Sequence, residues 1–240
     1  MPTQDDTRLP AGQIPLPFAR YEQLDFASYR TLANHEAVAS LKQLAAGVEN
    51  RNHYLWGQSG TGKSHLLQAA CTRASAANRS AAYIPLRLSQ SLSPALLTGL
   101  ATLDLVCIDD IDAIQGQAVW EQAVFVLFNE MRECRKPLLF SADRSPKGLA
   151  IAMPDLKSRL AWDLVFHLAP MDEASLIQAL QERAHTRMFE LPDEVVEFLV
   201  KRVSRDPHTL FNILDQLDSA SLQSQKKLTV PFVKSILDLS

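Results

Sequence analysis

Gly57-Gln58-Ser59-Gly60-Thr61-Gly62-Lys63-Ser64 carries every fixed position of the G-x-x-x-x-G-K-S phosphate-binding loop. A short strand pattern, His53 to Trp56, precedes it, and an apolar helix pattern, His65 to Cys71, follows it. Strand, loop and helix in that order are the setting in which such a loop works. The glycines let the backbone curl so that its N–H groups face a phosphate, and the helix that begins near Lys63 adds the positive end of its dipole. Lys63 is placed to reach the β- and γ-phosphates, and the Ser64 hydroxyl to hold Mg²⁺. A ligand-free glycine turn is the bland alternative. The full motif in its full context predicts a nucleoside di- or triphosphate site.

Composition narrows the class. The 240 residues are 47% hydrophobic and 21% charged, which is ordinary globular usage. Their length suits one domain with an appendage or two modest domains. No run is long enough to span a bilayer, and the first residues are acidic and proline-rich rather than basic and apolar. Cys71, Cys107 and Cys134 follow neither a disulfide nor a zinc spacing, so we expect reduced, buried thiols of a cytoplasmic protein. A net charge of −3 argues against a general nucleic-acid coat.

Along the chain, residues 1–20 are rich in Pro, Gln and Asp without strand or helix period, and read as a flexible tail. Val38, Leu41 and Leu44 give a helix over Asn34–Ala46. Strand patterns follow at His53–Trp56, Ala81–Leu86, Leu103–Asp109, Pro137–Ser141 and Leu164–Leu168, with helical patterns at Leu66–Ala77 and Val119–Cys134. Five apolar strands alternating with helices predict an α/β core with a five-stranded parallel sheet covered on both faces. After Pro170 only helical patterns remain, at Asp172–Phe189, Pro192–Val203, His208–Ser224 and Pro231–Leu239. We therefore expect a core over 21–169 and a small all-helical lid over 170–240.

Leu103-Asp104-Leu105-Val106-Cys107-Ile108-Asp109-Asp110 ends an apolar strand in two carboxylates, the form of a Walker B strand. Asp109 is the candidate to orient Mg²⁺ together with Ser64, and Asp110 to position the attacking water. Asp112 suits a solvated or helix-capping role. Asp143, after the strand Pro137–Ser141, suits either a sensor of the γ-phosphate or a turn before Ser145-Pro146. Arg159, in Leu156-Lys157-Ser158-Arg159-Leu160, suits either a surface cation or a finger reaching a neighbouring subunit's phosphates.

These segments in this order resemble the AAA+ ATPases, and among them the DnaA-related family. The likeness runs through Lys63-Ser64-His65-Leu66-Leu67, Val106-Cys107-Ile108-Asp109-Asp110-Ile111, Ser141-Ala142-Asp143-Arg144, Leu156-Lys157-Ser158-Arg159 and Leu210-Phe211-Asn212-Ile213-Leu214-Asp215-Gln216-Leu217. It covers residue 22 to the C-terminus. The resemblance implies ADP or ATP with Mg²⁺, held by Gly57, Gln58, Ser59, Gly60, Thr61, Gly62, Lys63, Ser64, His65 and Asp109. Arg159 matches the family's arginine finger. Many members carry a lid-sensor arginine where Thr209-Leu210-Phe211 places His208; Arg205 is the nearby alternative.

The sequence leaves no room after the lid for the DNA-reading domain of DnaA. The resemblance is therefore to members that inactivate DnaA after initiation, and the implied partners are DnaA and the sliding clamp. Gln13-Ile14-Pro15-Leu16-Pro17-Phe18 is similar to clamp-binding Gln-Leu-x-Leu-Pro-Leu/Phe peptides. In such a peptide Leu16 and Phe18 enter an apolar cleft, Gln13 bonds at its rim, Ile14 fills the second position, and Pro17 with Pro15 limits the entropy lost on ordering. DNA would be met only through the clamp, and no membrane is implied. Two other functions stay open: an autonomous AAA+ ATPase of clamp-loader or helicase-loader type, and a direct DNA-binding factor. Self-association is a further possibility, since AAA+ domains stack head to tail.

Overall fold

A computed structural model describes residues 24–29, 32–204, 207–224 and 226–238. The tail with Gln13, Ile14, Leu16, Pro17 and Phe18 lies outside the described residues, as does Arg205. His208 has a described backbone, within a helix, but its side chain lies outside them as well.

Strands β1 (His53–Trp56), β2 (Ala81–Pro85), β3 (Leu105–Asp109), β4 (Leu138–Ala142) and β5 (Leu164–His167) form one sheet in the order β2-β3-β4-β1-β5. Every pairing is parallel. Register puts Trp56 opposite both Ala142 and His167, so the carboxyl ends of these strands share one edge.

Around the sheet lie α1 (His35–Ala46), α2 (Lys63–Ala76), α3 (Ala118–Glu133) and α4 (Pro154–Leu160). Side chains of β3 alternate between two cores. Leu105 and Cys107 face the cluster with Leu41 and Leu44 of α1 and Leu66, Leu67 and Ala70 of α2. Val106 and Ile108 face Val124, Phe128 and Met131 of α3 and Leu156 of α4. This period of two, with both faces apolar, gives the doubly covered parallel sheet expected from the sequence.

Between β2 and β3 the chain makes three 3₁₀ segments, Leu86–Ser91, Pro94–Leu97 and Leu100–Thr102, in place of an α-helix. Pro94 opens one segment after a Ser93 cap, and Gly99 at φ 80° opens the next, so no helical turn propagates. Strand ends differ from the sequence expectation by one or two residues, as at Leu105, where Asp104 still turns toward Ser80.

The remaining helices are α5 (Glu173–Thr186), α6 (Asp193–Phe198), α7 (Pro207–Ser224) and α8 (Val230–Ile236). Asp172 caps α5 by accepting the Ser175 amide at 2.7 Å, and a π turn over Leu199–Val203 prolongs α6. Leu176, Leu180, Val196, Leu199, Leu214 and Val233 belong to a third apolar cluster drawn from these helices and the segments that join them. Among the described residues no helix is long and apolar enough to cross a membrane. The three cysteines are free thiols; Cys107 is buried as expected, but Cys134 is exposed at the end of α3.

Candidate nucleotide site

The loop Gly57–Ser64 leaves the carboxyl end of β1 and feeds α2. Gly57 approaches the backbone after β5: a Cβ there would lie 2.7 Å from the Leu168 carbonyl oxygen. Gly62 takes φ 84° and tolerates no side chain, since a Cβ would meet Tyr29 Cε2 at 2.5 Å. No side chain caps α2, so its first-turn amides are left for an anion at the helix N-terminus. Lys63 Nζ donates to the carbonyl oxygens of Gly57 at 2.7 Å and Gln58 at 3.0 Å. A buried ammonium held by its own loop is the candidate cation for a bound phosphate.

Carboxylates gather around that ammonium. Burial lowers the Lys63 pKa, while the charges of Asp110, Asp109, Asp112 and Asp143 oppose the shift. Asp109, 1% exposed, accepts the Tyr83 hydroxyl at 2.6 Å on Oδ2 and the Ser141 hydroxyl on Oδ1. The same Ser141 oxygen accepts the Asp110 amide at 2.9 Å. Asp110 stands at φ 55°, and its carboxylate pairs with Arg87 Nε at 3.1 Å. Burial and then the neighbouring Asp109 raise the Asp110 pKa. Asp112 is half-buried rather than solvated, accepts the Asp143 amide at 3.2 Å, and has its pKa raised by burial. Asp143 itself is exposed, beside Arg144.

The segment Asp25–Tyr29 straps this region. His65 Nε2 donates to the Asp25 carbonyl at 2.8 Å and lies 3.2 Å from Ser28 Oγ. The Tyr29 hydroxyl donates to the Thr61 carbonyl at 2.9 Å and accepts from Asn34 Nδ2 at 2.7 Å. Burial lowers the His65 pKa, against the Asp25 carbonyl and carboxylate, which favour the charged ring.

The loop, Lys63, Ser64, His65, Asp109, Asp110 and Asp143 thus belong to one end of the sheet. Arg159 does not. It stands in the last turn of α4 and lines a small cavity with Asn52, His53, Asp163 and Leu164, at the amino ends of β1 and β5. Its guanidinium lies 5.0 Å and 5.4 Å from the ring centroids of Phe125 and Phe128. Its Nη1 is buried without a hydrogen-bond partner among the described residues.

Sequence reasoning overlooked Tyr83, Ser141, Arg87 and the Asp25–Tyr29 strap as site residues. A serine inside the otherwise apolar strand Leu138–Ala142 was the available signal. Among the described residues no group of three or more His, Cys, Asp or Glu side chains is arranged to hold a metal ion. That is compatible with Mg²⁺ carried on phosphates, which needs only one or two protein oxygens. Ser64 and Asp109 fit that need.

Residues 29–167 match the family model of the bacterial DnaA ATPase domain, and residues 172–237 match that of the Hda lid domain. Domain III of the replication initiation protein DnaA from Thermotoga maritima has the same fold. Its TM-score is 0.78 at 22% identity, over 90% of this chain and 96% of that one. AMPPCP-bound DnaA from Aquifex aeolicus gives 0.66 at 20%, over 82% of this chain and 65% of that one. A Thermotoga maritima RuvB mutant gives 0.66 at 14%, over 90% and 72%. The architecture is therefore the AAA+ core, α/β with a parallel sheet, followed by a helical lid region.

Proposed function

Since this chain belongs to the bacterial DnaA ATPase-domain family, we propose that it is a regulator of replication initiation which promotes hydrolysis of ATP bound to DnaA. The observation that carries this proposal is the placement of Arg159 at the amino end of β1, while the phosphate loop leaves its carboxyl end. The four residues of β1 span roughly 13 Å at about 3.3 Å each. So placed, Arg159 is remote from this chain's own loop, which supports a role at another molecule's nucleotide. The match of residues 172–237 to the Hda lid supports a regulator within the family.

In this proposal the core spans 21–169 and the lid 170–240, and the protein acts in the cytoplasm. The loop amides, Lys63 and Ser64 hold the diphosphate of a resident nucleotide, ADP in the docking form, with Asp109 toward Mg²⁺. Bound Mg²⁺ supplies charge neutralisation. His65 keeps the strap over the loop, and His208, the second residue of α7, or Arg205 is the candidate lid sensor. Asp110, engaged by Arg87, is poorly disposed to activate water, which favours a held nucleotide over rapid turnover. Asp143 lies in the same acidic shell as a candidate sensor. On docking, Arg159 leaves its stack on Phe125 and Phe128, enters the partner's site and stabilises charge that develops in its transition state. Gln13, Ile14, Leu16, Pro17 and Phe18 tether the protein to the sliding clamp on DNA.

The test is ATP hydrolysis by DnaA with this protein, clamp-loaded DNA and ADP. Arg159→Ala is expected to lower the stimulated rate by roughly a thousandfold while leaving ADP binding intact. Stimulation that survives Arg159→Ala would exclude the finger. ATP turnover by this chain alone, with DnaA unaffected, would instead identify an autonomous ATPase.

A further inference from the structure

We infer that Glu121 is the positioning residue for Arg159: its buried carboxylate ties the start of α4 to α3 and fixes the helix on which Arg159 stands. Glu121 is 1% exposed in the first turn of α3. Its Oε1 accepts the amides of Gly116 at 2.9 Å and Ala152 at 3.1 Å, and its Oε2 accepts the Met153 amide at 2.9 Å. Three amides on one carboxylate are charge-assisted bonds, and they offset what burial of that charge costs.

Ala152 and Met153 directly precede Pro154, the first residue of α4, and α4 has only seven residues. Whatever moves Met153 therefore moves Arg159, six positions on. The other end of Arg159 rests on the same stripe of α3. Phe125 and Phe128, under the guanidinium, stand four and seven residues after Glu121. One helix face thus supports both the backbone entry of α4 and its terminal cation. Glu121 touches no nucleotide and acts only through Arg159; the inference rests on the role proposed above for that arginine.

Glu121→Gln in the full chain keeps the volume but turns one acceptor oxygen into a donor facing backbone amides. The maximal stimulated rate on DnaA is expected to fall about ten- to a hundredfold. The half-saturating concentration of this chain, and its affinity for a fluorescent ADP analogue, should change by less than about threefold. Amide hydrogen exchange should accelerate at least about tenfold over residues 150–159 and stay unchanged in α2. Placed on Arg159→Ala, Glu121→Gln should cause no further loss. Glu121→Asp, which keeps the charge but is shorter, should lose less and serves if the glutamine variant does not fold.

Wild-type stimulation by Glu121→Gln, unchanged exchange over 150–159, or an added loss on Arg159→Ala would each overturn the inference. If the unaltered chain fails to stimulate DnaA, the proposed function falls, and exchange over residues 150–159 alone decides whether Glu121 anchors α4.

Discussion

At the residue scale, Asp109 shows how a strand-end acid becomes a fixed one. Tyr83 comes from β2 on one side and Ser141 from β4 on the other, and each donates a hydroxyl to its carboxylate. Sequence identifies Asp109 from the apolar run before it, but the two donors depend on the register of three strands. Lys63 is legible without register because its loop is contiguous. Lys63→Ala removes an ammonium that also ties Gly57 and Gln58, and should weaken ADP binding about tenfold to a hundredfold, read by calorimetry. His65 gives a pH signature. Burial lowers its pKa below the ordinary histidine value of 6.5, so its folded form binds fewer protons than the unfolded chain. The associated stability is present above pH 6.5 and is lost as pH falls below it toward the folded value. His65→Gln should flatten that part of the profile in urea unfolding followed between pH 7.5 and 5; an unchanged slope would assign the loss elsewhere.

At the scale of elements, the loop and α2 are one unit held from outside by the Asp25–Tyr29 strap. Gly62→Ala forces a side chain into a left-handed conformation and against the Tyr29 ring, so Tyr29 must leave Thr61. The expected cost is about 1–3 kcal/mol, with weaker nucleotide binding, by urea unfolding and ADP titration. Most elements were legible because their signals are local: alternation in β3, spacing of Leu41 and Leu44 in α1. The crossing from Leu86 to Thr102 was less so. Its apolar residues suit a helix or a strand, and Pro94 and Gly99 settle only where turns fall. Arg159 was legible as a candidate, but not its ring stack, because Phe125 and Phe128 lie more than thirty positions away in sequence.

At the scale of the whole molecule, three apolar clusters divide between two sets of elements. Two clusters use residues up to Leu168, and the third uses residues from Leu176 onward. This division predicts separable unfolding. Leu214→Ala empties a fully buried position in the third cluster and should cost about 2–5 kcal/mol. Its loss should appear in urea melts as an earlier transition, while signal from Trp120, buried against the sheet, keeps its midpoint. A single coincident shift of both signals would show one cooperative unit.

Parallel strands also give the molecule a direction. With the loop at the carboxyl edge of the sheet and Arg159 at the amino edge, the proposed function would give each copy one receiving end and one donating end. Contact between such unlike ends would be heterologous, adding units in a single sense and leaving two chemically different termini. In the proposed function one docked molecule would then serve one nucleotide, and the proportion of this chain to its target would set how many sites are answered at a time.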